Sequence, residues 1–231
     1  MLIVQDESAV APSAAWEPPV LTRSSLPAGY RGIRVHSPLA TAAFSRRDAR
    51  LPGYPAAVET ALTLGFTPAL RTVGGHLAPL HEGTLVIDVI AADEAPSGHT
   101  RDRFQRAATA VRDGLERLGV PARIGELPGE YCPGEHSVNA AGVAKLAGIA
   151  QRVTPWGFLI SINLVVTDPE PLRSLVAGCY HRLGLPVDPS RVGAVADYAP
   201  GVAASEVARE LIPQLASALF PTAEPGRRAE S

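Results

Sequence analysis

The spacing of apolar and polar residues changes repeatedly along the 231-residue chain, and each change predicts an element. Gly32–His36 reads as a short strand. Tyr54–Leu64 carries apolar residues near helical spacing and stops at Gly65, a residue suited to ending helices. Thr67–Val73 reads as a strand running into Gly74-Gly75. Thr84–Ala92 is β-branched and apolar, as a central strand should be. The clearest helix is Thr100–Leu118, where Phe104, Ala107, Ala108, Val111, Leu115 and Leu118 share one face and Gly119 follows. Ala122–Glu126 is a further short strand. Val138–Val143 and Ala147–Val153 are expected to pair across the turn between them, and Gly157–Val166 to continue the sheet. Helices are predicted over Glu170–Leu183, ended by Gly184, and over Ala203–Phe220, where Pro213 should kink the axis. Short turns between the strands near 138–166 favour an α/β (α+β) fold. Its sheet is expected to be mixed and largely antiparallel with packed helices, not a parallel doubly wound sheet.

The ends of the chain lack these periods. Residues 1–30 are rich in Pro, Ala and Ser and are expected to form a loosely ordered arm. Residues 31–220 should form a single domain, and 221–231 a disordered tail. Hydrophobic residues at 46% and charged residues at 19% fit an ordinary globular core. A net charge of −2 offers no electrostatic footprint for nucleic acid and no polybasic segment for an anionic membrane. The longest apolar runs, around Leu85–Ala92 and Phe158–Val166, fall short of the roughly 20 residues of a spanning helix. Neither nucleic acid nor membrane is therefore expected as a partner. The first thirty residues hold no continuous apolar stretch, which makes the cytoplasm the expected compartment. Two well-separated cysteines do not make a disulfide framework.

Candidate chemistry starts from those cysteines. Pro128, Gly129, Pro133 and Gly134 surround Cys132 in Gly129-Glu130-Tyr131-Cys132-Pro133-Gly134, so Cys132 is expected on an exposed bend. A nucleophile is placed in such a position, and a nearby cation or His would raise its thiolate fraction. The competing reading is a small residue filling a loop. Cys179 lies at helical spacing in Leu175–Leu183 and reads as a buried, inert thiol.

The basic residues are twenty Arg and one Lys, at position 145. Lysine is a compact point donor where arginine is a fork. Lys145 sits in the small, apolar run Gly142-Val-Ala-Lys145-Leu-Ala-Gly148, where a ligand could approach and a lysine could donate to a carbonyl or oxyanion. Its alternative is a lysine guarding a strand edge.

Arg71-Thr-Val-Gly74-Gly75-His76, with His81 nearby, allows a close turn that exposes main-chain N–H groups. It is neither a P-loop nor a dinucleotide fingerprint. His136, four residues after Cys132, is either a base or a solvent-facing loop residue. Cys132 and His136 lack a second pair of ligands, so no metal is expected.

In this order the three segments resemble the lipoyl/octanoyl transferases and lipoate–protein ligases, whose catalytic domain is shared with biotin ligases. Arg71-x-x-Gly74-Gly75 resembles the family's Arg and Gly-rich loop. Lys145-Leu-Ala-Gly148-Ile-Ala-Gln151-Arg152 resembles its Lys-x-x-Gly-x-x-Gln-Arg segment. Tyr131-Cys132-Pro133-Gly134 resembles the cysteine-dependent octanoyltransferase branch, which takes its acyl group from the glycine-cleavage H protein. The likeness spans roughly residues 30–200. It implies that 31–220 is a catalytic domain in which Cys132 carries an acyl thioester and Lys145 binds the acyl carbonyl. It further implies that Gly74 and Gly75 line an acyl tunnel walled by Arg71, with His76 and Gly148 beside it.

The expected substrate is an octanoyl or lipoyl group, with no resident cofactor. The expected acceptor is a lysine of a lipoyl-domain protein, such as the glycine-cleavage H protein or a dehydrogenase E2 subunit. Acyl carrier protein is a further candidate donor. Val73 stands where the family usually has Ser or Thr, His76 where a small residue is usual, and Ser137 where the branch has an acidic residue. The biotin-ligase Gly-Arg-Gly-Arg-like loop is absent. Two alternatives stand beside this reading. One is an ATP-dependent lipoate–protein ligase, which would need ATP and Mg. The other is a non-catalytic relative that binds lipoyl domains.

Overall fold

In the computed structural model, which describes residues 2–6 and 21–220, the alternation of two long strands sets the architecture. β1 (Leu2–Asp6) is followed by β2 (Arg31–His36), β3 (Thr41–Ser45), α1 (Tyr54–Thr63), β4 (Thr67–Arg71) and β5 (Ala78–Leu80). Then come β6 (Thr84–Ala92), α2 (Thr100–Arg117), β7 (Ala122–Ile124), β8 (Val138–Ala140), β9 (Ala144–Thr154) and β10 (Gly157–Val165). α3 (Glu170–Leu183) and α4 (Ala204–Leu219) complete the described elements.

Seven strands form one sheet in the order β1-β2-β6-β10-β9-β8-β7. β1 and β2 pair in parallel and the other neighbours antiparallel, so the sheet is mixed and largely antiparallel, as expected. On β6, Leu85, Ile87, Val89 and Ala91 face α2 and α4, whose Val111, Leu115, Val207, Leu211 and Leu215 join them in one core. Val86 and Ile90 point the other way, onto a three-stranded sheet ordered β4-β3-β5, and meet Ala43, Ala78 and Leu80. The opposite face of β3, Ala42 and Phe44, packs with Ala57 and Ala61 of α1 and Leu172, Val176 and Cys179 of α3. Period-2 alternation thus feeds two cores from each sheet, which gives helix, sheet, sheet and helix layers.

The small sheet is the main departure from the expected elements. Its central strand β3 is buried along its whole length, so its Thr-Ala-Ala-Phe-Ser sequence shows no alternation to read. β5 is three residues long and contains Pro79. The expected loose arm is also corrected in part. Leu2–Asp6 pairs with Arg31–Val35, and Leu21 and Leu26 are buried against the layer between the sheets. Residues 7–20 and the expected tail at 221–231 lie outside the described residues. α4 runs through Pro213 without interruption.

A third correction bears on the site. The turn between β8 and β9 falls at 141–143, where Ala141 and Gly142 both take positive φ, and not between 143 and 147. Lys145 therefore lies inside β9. A bulge follows: Asn139 pairs with Lys145, but Val138 pairs with Ala147. The β8–β9 pairing stops there, and the 148–154 half of β9 has no paired strand on that side among the described residues.

Candidate active site

That open half of β9 forms one wall of a cavity of about 650 Å³. The other walls come from the Gly74-Gly75 turn, the 131–137 loop and the start of α2 at Thr100, Arg101 and Phe104. Of the residues expected from sequence, Cys132, Lys145, Arg71, Gly74, Gly75 and Gly148 all line it. His76 supports it from behind.

Cys132 is half-buried on its bend, less open than expected, with a φ of 44°. A left-handed backbone at a non-glycine residue is held by its neighbours. The Cys132 N–H donates to Tyr180 Oη at 2.7 Å, and the Cys132 carbonyl accepts from Lys145 Nζ at 2.8 Å. Tyr180 Oη in turn donates to the Leu77 carbonyl at 3.1 Å, tying the cysteine loop to the glycine turn.

The sulfur faces two donors, the His76 N–H at 3.2 Å and Arg71 Nη2 at 3.3 Å. Arg71 Nη2 also donates to the His76 carbonyl. Burial is the largest single influence on this thiol and pushes its pKa up. The charges of Arg71 and Lys145 and the hydrogen bonds from His76 N–H and Arg71 together outweigh it, so the thiol is held below the ordinary cysteine value. Gly75, at φ 95°, makes the approach possible: a Cβ there would lie 2.5 Å from Sγ and 2.7 Å from Arg71 Nη2.

Lys145 is 1% exposed. Its ammonium donates to Glu130 Oε1 at 3.0 Å, to the Tyr131 carbonyl at 2.9 Å and to the Cys132 carbonyl at 2.8 Å. All three of its hydrogens are thereby engaged, which is what allows a lysine to be buried charged. Glu130 is equally enclosed. Its carboxylate accepts from Ser137 Oγ at 2.6 Å and the Gly134 N–H at 3.3 Å, and through Oε2 from the Leu127 N–H at 3.0 Å. A buried ion pair thus folds the whole 127–137 loop around the cysteine. Gly148 sits under the lysine stem, where a Cβ would touch Lys145 Cε at 3.5 Å and intrude on the cavity.

The remaining histidines separate clearly. His76 Nδ1 lies 2.6 Å from Asp48 Oδ1, a fully buried side chain. His81 staples a turn, accepting the Gly83 N–H on Nδ1 and contacting the Asp168 carbonyl through Nε2. His136 stacks on Phe104 with ring centroids 5.3 Å apart, and no hydrogen bond joins it to the sulfur. Val73 is buried in the layer between the sheets. Among the described residues no cluster of His, Cys, Asp or Glu is arranged to hold a metal ion.

Sequence reasoning missed Asp48, Glu130 and Tyr180. Only Glu130 left a signal, as an acid among glycines and prolines two residues before the candidate nucleophile.

The family model described as the lipoyl protein ligase A/B catalytic domain matches residues 57–216. The chain belongs to this family. The match takes in the glycine turn, Cys132 and Lys145. Among curated relatives, the chain is 30% identical over 140 residues to the octanoyl-[GcvH]:protein N-octanoyltransferase of Exiguobacterium sibiricum, 60% of this chain and 50% of that protein. It is 26% identical over 184 residues to the protein of that name from Oceanobacillus iheyensis, 78% of this chain and 60% of the relative. The chain spans about half the length of the curated relatives it matches.

The fold of the lipoyl protein ligase A/B family member is seen again in solved structures. Lipoate-protein ligase A bound with ATP superposes with a TM-score of 0.66 at 22% identity, covering 86% of this chain and 76% of that one. Protein Ta0514 from T. acidophilum with bound lipoic acid gives 0.66 at 20%, with the same coverage. At these identities the likeness speaks for the fold.

Proposed function

We propose that this chain is an acyltransferase that moves an octanoyl or lipoyl group, through a thioester on Cys132, to a lysine of a lipoyl-domain protein. One observation carries the reading: the Cys132 sulfur borders a cavity while two donors and two cations favour its thiolate. The names of the curated relatives point to octanoyl transfer and to the glycine-cleavage H protein as one partner.

The thiolate attacks the acyl carbon of the donor. As the S–C bond forms, negative charge develops on the acyl oxygen, and Lys145 takes it up by exchanging one of its two main-chain carbonyl partners. The bond to the donor's leaving group breaks. If that group is a lysine amine it takes a proton from water, and if it is a thiol it departs as thiolate. A neutral acceptor lysine then attacks the thioester, its C–N bond forms as the S–C bond breaks, sulfur leaves as thiolate, and the extra proton on nitrogen passes to solvent to leave the neutral amide. No ATP is needed in either half.

The test is intact-protein mass spectrometry after mixing the chain with octanoylated H protein, or with octanoyl-acyl carrier protein, without ATP. The expected result is a gain of one octanoyl group, released by hydroxylamine and absent in Cys132→Ser. No adduct from either donor, together with transfer from free lipoate and ATP, would move the chain to the ligase class.

A further inference from the structure

The transfer just described uses only the main-chain N–H of residue 76, yet its side chain is elaborately held. His76 Nδ1 lies 2.6 Å from Asp48 Oδ1, and with Asp48 as a carboxylate Nδ1 carries the hydrogen. The imidazole is 12% exposed and the carboxylate 0%. Asp48 is itself fixed, since Oδ2 accepts the Ser45 N–H at 2.8 Å and the Ser45 hydroxyl at 2.9 Å. Ser45 is the last residue of β3, the middle strand of the small sheet. A chain of hydrogen bonds therefore runs from that strand to the residue whose N–H meets the sulfur.

The anchoring matters because of what precedes it. Gly75, at φ 95°, is the residue whose backbone turns most freely, and the N–H aimed at Sγ belongs to the peptide just after it. Arg71 holds the carbonyl of residue 76, while only the ring ties its side chain to the scaffold. We infer that Asp48 and His76 are positioning residues that fix the residue-76 N–H on the Cys132 sulfur and so prepare the thiol for attack. The inference rests on Cys132 being the nucleophile, but its test needs no acyl substrate.

The other charged or titratable groups around the sulfur are Arg71, Lys145 with Glu130 behind it, and the phenols Tyr131 and Tyr180. None of them hydrogen-bonds the His76 side chain, and Arg71 meets residue 76 through its carbonyl.

The experiment follows alkylation of Cys132 by iodoacetamide as a function of pH in the full chain, read on the Cys132 peptide by mass spectrometry. Thermal melting is run on the same samples. In His76→Leu the midpoint should rise by about 0.5–1 pH unit, a roughly three- to tenfold loss of thiolate below it. His76→Asn, whose amide N–H can reach Asp48, should stay near wild type. Ser45→Ala, which loosens Asp48 without touching residue 76, should shift the midpoint the same way but less, and decides the matter if the leucine variant does not fold. A folded His76→Leu variant that titrates like wild type overturns the inference. So does an asparagine variant shifted as far as the leucine one, or an unshifted Ser45→Ala if it alone must decide. Because the readout is alkylation, failure of acyl transfer would leave this result standing on its own.

Discussion

The two cysteines place one side chain in opposite settings. Cys179 lies inside α3, fully buried among Ala57, Leu175 and Val176, and donates its S–H to the Ala57 carbonyl at 3.3 Å. Burial alone acts on it, and pushes its pKa up to about 11. Cys132 is also pushed up by burial, yet ends below the ordinary value because Arg71, Lys145 and the residue-76 N–H surround it. Enclosure makes a thiol inert. A thiol that is partly enclosed and still reactive needs fixed positive charge and an aligned donor to offset burial, which requires separate segments of chain to converge.

Lys145→Arg attacks the reactive side of that contrast most directly. It keeps the charge but cannot fit three acceptors arranged around one nitrogen, and transfer should fall on the order of a hundredfold or more. Single-turnover transfer of a preformed acyl group is the measurement, and a variant as fast as wild type would remove Lys145 from the mechanism.

The pH dependence of the two thiols sharpens the contrast. Cys132 keeps its thiolate below the ordinary cysteine value of about 8.5, so its alkylation should persist under that pH and fade only as pH falls through the lowered value. The same shift contributes stability that is full above about 8.5 and is lost as pH falls through the folded-state value. Cys179 should stay unlabelled in the folded chain throughout this range. Equal labelling of both sulfurs in the native protein would erase the comparison.

Cys179→Ala is the smallest perturbation. It should leave transfer unchanged and lower stability by about 1 kcal/mol, seen as a modest drop in melting temperature. A loss of transfer with the fold intact would mean that the inert setting has been misread.

Legibility followed the range of the forces involved. The α1, α2 and α3 helices and strands β6 and β10 were plain because periodicity and glycine stops are written in neighbouring residues. The Cys132 loop was plain because prolines and glycines dictate bends locally, and Lys145 stood out as the one lysine among twenty arginines. β3 was hidden because both its faces are covered, and the β8–β9 turn was misplaced because Ala141 does not advertise a left-handed backbone.

What the sequence alone determined was the α/β class with a mixed, largely antiparallel sheet, the family likeness and the candidate residues, since each depends on residue type and near-neighbour spacing. Only the tertiary structure decided that Lys145 is engaged by Glu130 and two carbonyls, and that Tyr180 holds the Cys132 backbone. Only it brought Asp48 to the ring of His76. These are contacts between residues 13 to 48 positions apart, brought together by the packing of separate elements. Hydrogen bonds and thiol acidity depend on distances of a few ångströms, which no local pattern in the chain encodes.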